Sequence, residues 1–204
     1  MSPDAELFDR WVGGDAEAGR QLFRRHYEGV ARFFRNKVGD EWGELCQRTF
    51  LACLEAAPSF RREGSFRSFL FGIAYRQLRR HYYERGRERE RIDFGTHSVH
   101  DLDPTASALV AAHEEQRLLL AALRRIPLEL QVILELVYWE ELSAQACAEI
   151  LDIPVGTAKS RLRRARARLE QALAELAGSD EVLEHTRTRL DDWAQGLRAN
   201  LVED

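Results

Sequence analysis

In the stretch LDIPVGTAKSRLRRARARLEQAL, Leu151 to Leu173, six cations fall between Lys159 and Arg168, parted by small or apolar residues at helical intervals. Guanidinium groups spaced in this way neutralise phosphates, and their planar fork also matches the acceptor edge of guanine. A second basic island lies upstream, where residues 61–91 hold ten arginines against four glutamates. The chain around them is acidic, with a formal net charge of −4 over 204 residues. Two basic islands in an acidic chain point to a polyanionic partner. Lysine occurs only as Lys37 and Lys159, so arginine is the general cation here and its choice alone is not diagnostic. Other chemistries find no constellation: there is no Gly-rich phosphate loop, HExxH pair or nucleophile elbow. Cys46, Cys53 and Cys147 lack the spacing of a zinc site and read as buried free thiols. No enzymatic activity, metal or cofactor is expected.

Helices must position these cations. Apolar residues recur at i, i+3/i+4 and i+7, glycine and proline are sparse, and the fold class is all-α. Leu7, Phe8, Trp11 and Val12 mark a first helix that stops at Gly13-Gly14. A second runs from Ala16 through Leu22, Phe23, Val30, Phe33 and Phe34 to Val38, and Gly39-Asp40 breaks it. The third spans about Glu41 to Ala57 and ends at Pro58. The fourth, FRSFLFGIAYRQLRRHYYER, buries Phe66, Phe69, Leu70, Ile73, Ala74 and Leu78. Periodicity fades over residues 93–112, which read as a flexible linker, and helix resumes near Ser107. After Pro127, the apolar run LELQVILELVYWEEL leads to Ser143, which can cap a short helix over Ala144–Leu151. Asp152-Ile153 then turns the chain, and Pro154 suits the start of another helix.

That order is a helix-turn-helix. On a helical wheel Val155, Ala158, Leu162, Ala165 and Leu169 form the core-facing stripe. Thr157, Ser160, Arg161 and Arg164 lie opposite it, with Arg163 and Arg168 to the sides. A helix entering a major groove needs this division between base-reaching and phosphate-neutralising residues. The segment Leu123–Leu169, above all IPVGTAKSRL, resembles the −35-binding domain of bacterial sigma factors of the sigma-70 family, extracytoplasmic-function group. Asp152 stands where that family often has Gly, Cys147 replaces an aliphatic residue and Ala158 replaces Val. The resemblance implies DNA contacts from Thr157, Lys159, Ser160, Arg161, Arg163 and Arg164.

ELCQRTFLACLEAAPSFRREGSFRSFLFGIAYRQLRRHYYER is similar to the family's domain for the −10 element and polymerase. Glu44, Leu45, Gln47 and Arg48 would then dock on a coiled coil of the largest polymerase subunit. Arg48 replaces an acid common at that place. Phe60, Arg61 and Arg62 would receive a flipped base, and Arg76, Arg79 and Arg80 would meet the single strand. Arg76 stands where Asn is frequent and Gly72 where Arg is, so an altered −10 preference is expected. Phe69, in place of a Trp, reads as core.

The implied organisation is two small helical domains with a linker and a C-terminal extension. Residues 1–92 would bind polymerase and the −10 element, 93–112 would link, 113–177 would bind the −35 element, and 178–204 would form an acidic helical extension. Leu183, Leu190 and Leu197 recur every seven residues in that extension, an apolar seam expected to pack on the chain's own core. Core RNA polymerase and promoter DNA are the partners implied, with an anti-sigma factor as a further candidate. The competing function is a stand-alone helix-turn-helix repressor or activator working as a dimer, which needs only one basic island. The opening residues, with Asp4, Glu6 and Asp9, do not read as a basic-then-apolar leader, and no apolar run approaches the roughly 20 residues of a membrane span. A cytoplasmic protein with reduced thiols is expected, with no membrane insertion.

Overall fold

The computed structural model describes residues 2–60, 64–86, 94–95, 98 and 114–176. Helix α1 (Pro3–Val12) begins where the Ser2 hydroxyl accepts the Ala5 N–H at 3.3 Å, and it ends at Gly13. Asp15 caps α2 (Ala16–Val38), its carboxylate accepting from the Glu17 and Ala18 N–H groups at 3.0 and 3.1 Å. The two helices meet at Gly19, where a Cβ would lie 2.6 Å from the Trp11 ring, so only glycine permits the crossing. A 3₁₀ turn, Gly39–Glu41, leads into α3 (Trp42–Ala56), and a second 3₁₀ turn containing Pro58 closes it. Helix α4 (Phe66–Gly86) lies against α3 and α2. Phe33, Phe34, Leu22, Leu70, Phe71 and Leu78 fill the centre of this first bundle.

The second bundle comprises α5 (Glu114–Arg125), α6 (Leu128–Tyr138), α7 (Ala144–Leu151) and α8 (Val155–Leu176). Ser143 caps α7, its hydroxyl accepting the Ala146 N–H at 3.1 Å. Asp152 ends α7 in the left-handed region (φ 54°, ψ 53°), a conformation a short polar side chain tolerates better than most. The Ile153 N–H returns to the Ala148 carbonyl at 3.0 Å, and α8 departs at a new angle. Leu119, Leu123, Leu128, Ile133, Leu169 and Leu173 form the core that holds α8 to α5 and α6.

The two bundles pack on each other, chiefly α4 on α7, across a seam rich in polar groups. Arg32 of α2 donates to Glu140 at 2.6 Å, and Arg67 of α4 donates to the Glu140 carbonyl at 3.0 Å. Gly29 lets this carboxylate approach α2, since a Cβ there would stand 3.1 Å from Glu140 Oε2. Further along, Arg124 Nε donates to Asn36 Oδ1 at 2.8 Å, and Lys37, wholly buried, donates to Glu135 and to the Phe33 carbonyl. Gln131 completes the row by donating to Glu135 Oε1 at 2.9 Å.

The helices expected over the first four segments and over 144–151 stand where the periodicity placed them, and all the regular elements among the described residues are helical. Arg61 and Arg62, most of the 93–112 segment, the expected helical start at Ser107 and the whole 178–204 extension lie outside the described residues.

Candidate nucleic-acid interface

Helix α8 has a buried stripe of Ala158, Ala165, Leu169, Ala172 and Leu173, with Val155 and Leu162 half-buried beside it. Small residues at 158 and 165 let the helix axis sit close to its neighbours, which points the intervening side chains outward. Thr157, Lys159, Ser160, Arg163 and Arg164 are exposed, as the wheel requires. Arg161 departs from its expected place. Its side chain is only 15% exposed and its Nη2 lies 3.0 Å from Glu129 Oε2 on α6. The physical reason is position: Arg161 follows Ala158 by three residues and precedes Ala165 by four, so it borders the buried stripe instead of opposing it. Arg164 reaches the same carboxylate, donating to Glu129 Oε1 at 2.9 Å. Arg166 stands over the Tyr138 ring at 5.4 Å, a cation–π contact that the sequence pattern did not foretell.

The second cationic surface is on α4, where Arg76, Arg79 and Arg80 are exposed at i, i+3 and i+4 and therefore share a face. Arg80 donates to Glu84 at 2.7 Å, an exposed pair that is readily exchanged for a phosphate. Arg76 lines a cleft of about 240 Å³ together with Phe60, Gly64, Ser65, Ser68 and Phe69. Phe60 and Phe69 stack with centroids 4.4 Å apart and planes at 26°, so Phe69 forms part of the cleft wall and is half-buried. Ser65 caps α4, its hydroxyl accepting the Ser68 N–H at 3.0 Å. Glu149 and Ile150 of α7 close the far side of this cleft. Here an aromatic wall, hydroxyl groups and a guanidinium meet, the combination that receives an unstacked base.

On α3 the expected polymerase face divides. Glu44, Gln47 and Arg48 are exposed, and Arg48 donates to Glu44 at 2.6 Å. Leu45 is 2% exposed and belongs to the core, because it falls one residue from the outward row. The apolar part of the outward row comes instead from Leu51 and Leu54, which are 51% and 44% exposed. Leu51 stands at i+4 from Gln47 and i+3 from Arg48, and Leu54 at i+7 from Gln47, a relation readable in the sequence.

Titratable groups away from these surfaces are structural. Burial pushes the thiols of Cys46, Cys53 and Cys147 up to about 12, so they stay protonated. Burial also lowers the Lys37 ammonium from its ordinary value, against the opposing pull of Glu135. Among the described residues there is no cluster of metal-ligating side chains, and no helix is long and apolar enough to cross a membrane.

A helix-turn-helix with an outward cationic helix, joined to a bundle bearing an arginine and aromatic cleft, defines a two-module DNA-binding factor of sigma-70 architecture. Residues 22–88 match the model for sigma-70 region 2, and residues 116–169 match that for sigma-70 region 4. The ECF RNA polymerase sigma factor SigM of Mycobacterium tuberculosis is 31% identical over 175 residues, covering 85% of this chain and 86% of that one. The ECF RNA polymerase sigma-E factor of Haemophilus influenzae is 29% identical over 184 residues, covering 85% and 96%. Among solved structures, CnrH in complex with the cytosolic domain of CnrY superposes with a TM-score of 0.61 at 21% identity, covering 86% of this chain and all of that one. The sigma factor RpoE with the anti-sigma factor NepR from Bartonella quintana gives 0.62 at 22%, covering 76% and 96%, and these two likenesses speak to the fold. The chain belongs to the extracytoplasmic-function group of the sigma-70 family. It is a sigma factor that directs transcription initiation, with core RNA polymerase and promoter DNA as its partners.

Proposed function

We propose that residues 1–92 hold core polymerase and the −10 strand, residues 113–177 hold the −35 duplex, 93–112 join them and 178–204 extend the second module. Thr157, Lys159, Ser160 and Arg163 reach into the duplex, and Arg161 and Arg164 stand on its flank. The cleft at Phe60 takes one unstacked base of the −10 strand, with Arg61 and Arg62 beside it in sequence, while Arg76, Arg79 and Arg80 follow the strand. Glu44, Gln47 and Arg48, with Leu51 and Leu54, form the polymerase face, an apolar ridge in a polar rim. The protein acts without enzymatic chemistry of its own, in the cytoplasm, and an anti-sigma factor is a further partner, as NepR is for RpoE of Bartonella quintana.

The observation that carries this reading is the presence of two outward cationic surfaces on separate helical bundles, one beside an aromatic cleft and one on a helix-turn-helix. A dimeric repressor needs only the second. Two measurements test it: capture of core polymerase by the purified chain without DNA, and run-off transcription by the reconstituted enzyme on the region upstream of the chain's own gene. Failure to capture core, with tight binding of the free chain to a palindromic duplex, would establish the repressor instead.

A further inference from the structure

The cations of α8 are not equally free. Lys159 and Arg163 are exposed and have no carboxylate within ion-pair distance among the described residues. Arg161 and Arg164, by contrast, share the two oxygens of Glu129, at 3.0 and 2.9 Å. Glu129 is itself held. Its side chain is 17% exposed, and it lies in the first turn of α6, where the helix dipole favours a carboxylate. Its backbone N–H donates at 3.1 Å to the carbonyl of Phe94, whose ring sits edge-on to Tyr75 and Tyr82 of α4. The backbone of Glu129 is thus anchored through Phe94 to α4, and its carboxylate is positioned in reach of both arginines. Arg161 is held through one nitrogen only, and its Nε has no acceptor among the described residues.

An arginine is charged at every working pH, so a free one on the flank of this helix, where Arg161 and Arg164 stand, neutralises a phosphate whatever the base sequence. Such contacts raise affinity for all duplexes alike and dilute base readout. A carboxylate clamped between two guanidiniums cancels one charge and fixes the direction of both. We propose that Glu129 is a specificity-determining positioning residue of the recognition helix: its carboxylate withholds Arg161 and Arg164 from the phosphates, leaving Thr157, Lys159, Ser160 and Arg163 to discriminate. This rests on α8 being the duplex-facing helix.

The test uses the full chain assembled with core polymerase. Affinity is measured by fluorescence anisotropy across a salt series, for an arbitrary duplex and for a duplex selected from a randomised pool. Each phosphate neutralised adds about 0.9 to the slope of log affinity against log salt. Glu129→Gln is expected to bind the arbitrary duplex several-fold more tightly, to steepen its slope by about 1 to 2, and to narrow the gap to the selected duplex. Glu175→Gln makes the same charge change on an exposed carboxylate that, among the described residues, accepts from Gln171 alone, and its slope is expected to stay near that of the parent. Arg164→Ala is expected to remove more slope from the Glu129→Gln chain than from the parent. Should Glu129→Gln lose helicity, Glu129→Asp, which keeps the charge but reaches only one arginine, is expected to steepen the slope by about half as much. Equal slopes for the Glu129 and Glu175 variants, or weaker binding to every duplex with an unchanged slope, would overturn the proposal and leave Glu129 a structural tie. A parent chain that fails to bind core reports on the functional reading instead.

Discussion

At the scale of single residues, the described part of the chain separates charges it keeps exposed from charges it buries with a partner. His26 is of the second kind. Its ring is buried against Phe66, and its Nε2 lies 2.7 Å from Asp4 Oδ2, tying α1 to α2. Burial lowers its pKa below the ordinary value, outweighing the pull of Asp4 in the other direction, and nearby Arg67 lowers it further. His81 is lowered for the same first reason, with Glu41 opposing. Asp4 is also lowered: its burial acts upward, but the Arg25 hydrogen bond and His26 together win. A histidine whose folded pKa lies below its unfolded one binds fewer protons folded, so stability is lost as pH falls from the unfolded value of about 6.5 towards the folded one. Asp4 adds stability above its unfolded value of about 3.9 and loses it only at lower pH. The melting temperature is therefore expected to fall between about pH 8 and about pH 5. His26→Gln, which keeps a donor for Asp4 and cannot gain a charge, is expected to flatten that fall. A parent whose melting temperature rises over this window would contradict the assignment.

At the scale of elements, the turn between α7 and α8 sets the direction of the recognition helix and is built from two local devices. The Ser143 cap satisfies an otherwise orphaned N–H, and Ser143→Ala is expected to cost about 1 kcal/mol in urea unfolding. Asp152 holds a positive φ where a glycine would sit without strain, so Asp152→Gly is expected to stabilise by about 0.5 kcal/mol. Loss of stability on that change would mean that the aspartate side chain carries an interaction beyond the turn. These devices were legible in the sequence because they are local: a cap, a turn residue and a proline occur at fixed offsets from an apolar stripe. Arg161 was misplaced on the wheel because a residue bordering the stripe is drawn inward or outward by what the neighbouring helix offers, here Glu129. Leu45 is buried while Glu44 beside it is exposed, one position of rotation separating the core from the outward row of α3. The Phe60–Phe69 stack needed the end of α3 and the start of α4 to be brought together, and spacing alone does not report how far a connecting loop folds back.

At the scale of the whole molecule, the contact between bundles had no sequence signal at all. Nothing in the pattern marks Lys37 as different from an ordinary surface lysine at a helix end, yet it is wholly buried against Glu135 of the other bundle. That contact closes the cleft at Phe60 with Glu149 and Ile150, and an acid at this wall repels a phosphate-bearing strand. If each bundle binds its own promoter element, as proposed, the cleft walled by both bundles opens when they part at this seam. The seam is suited to parting because its strength is conditional. Paired, Lys37 and Glu135 satisfy each other; with one partner neutralised, the remaining buried charge costs about 3–5 kcal/mol, and exposing it to water relieves that cost. Glu135→Gln is therefore expected to open the chain before unfolding it, increasing the radius of gyration in solution scattering while the helical circular-dichroism signal is retained. The double change Lys37→Met with Glu135→Leu, which replaces both charges by apolar side chains of similar size, is expected to stay closed and to melt no lower than the parent. If Glu135→Gln instead loses helix and compactness in one step, the seam belongs to the same cooperative unit as the cores, and engagement of two separated elements would require a different hinge.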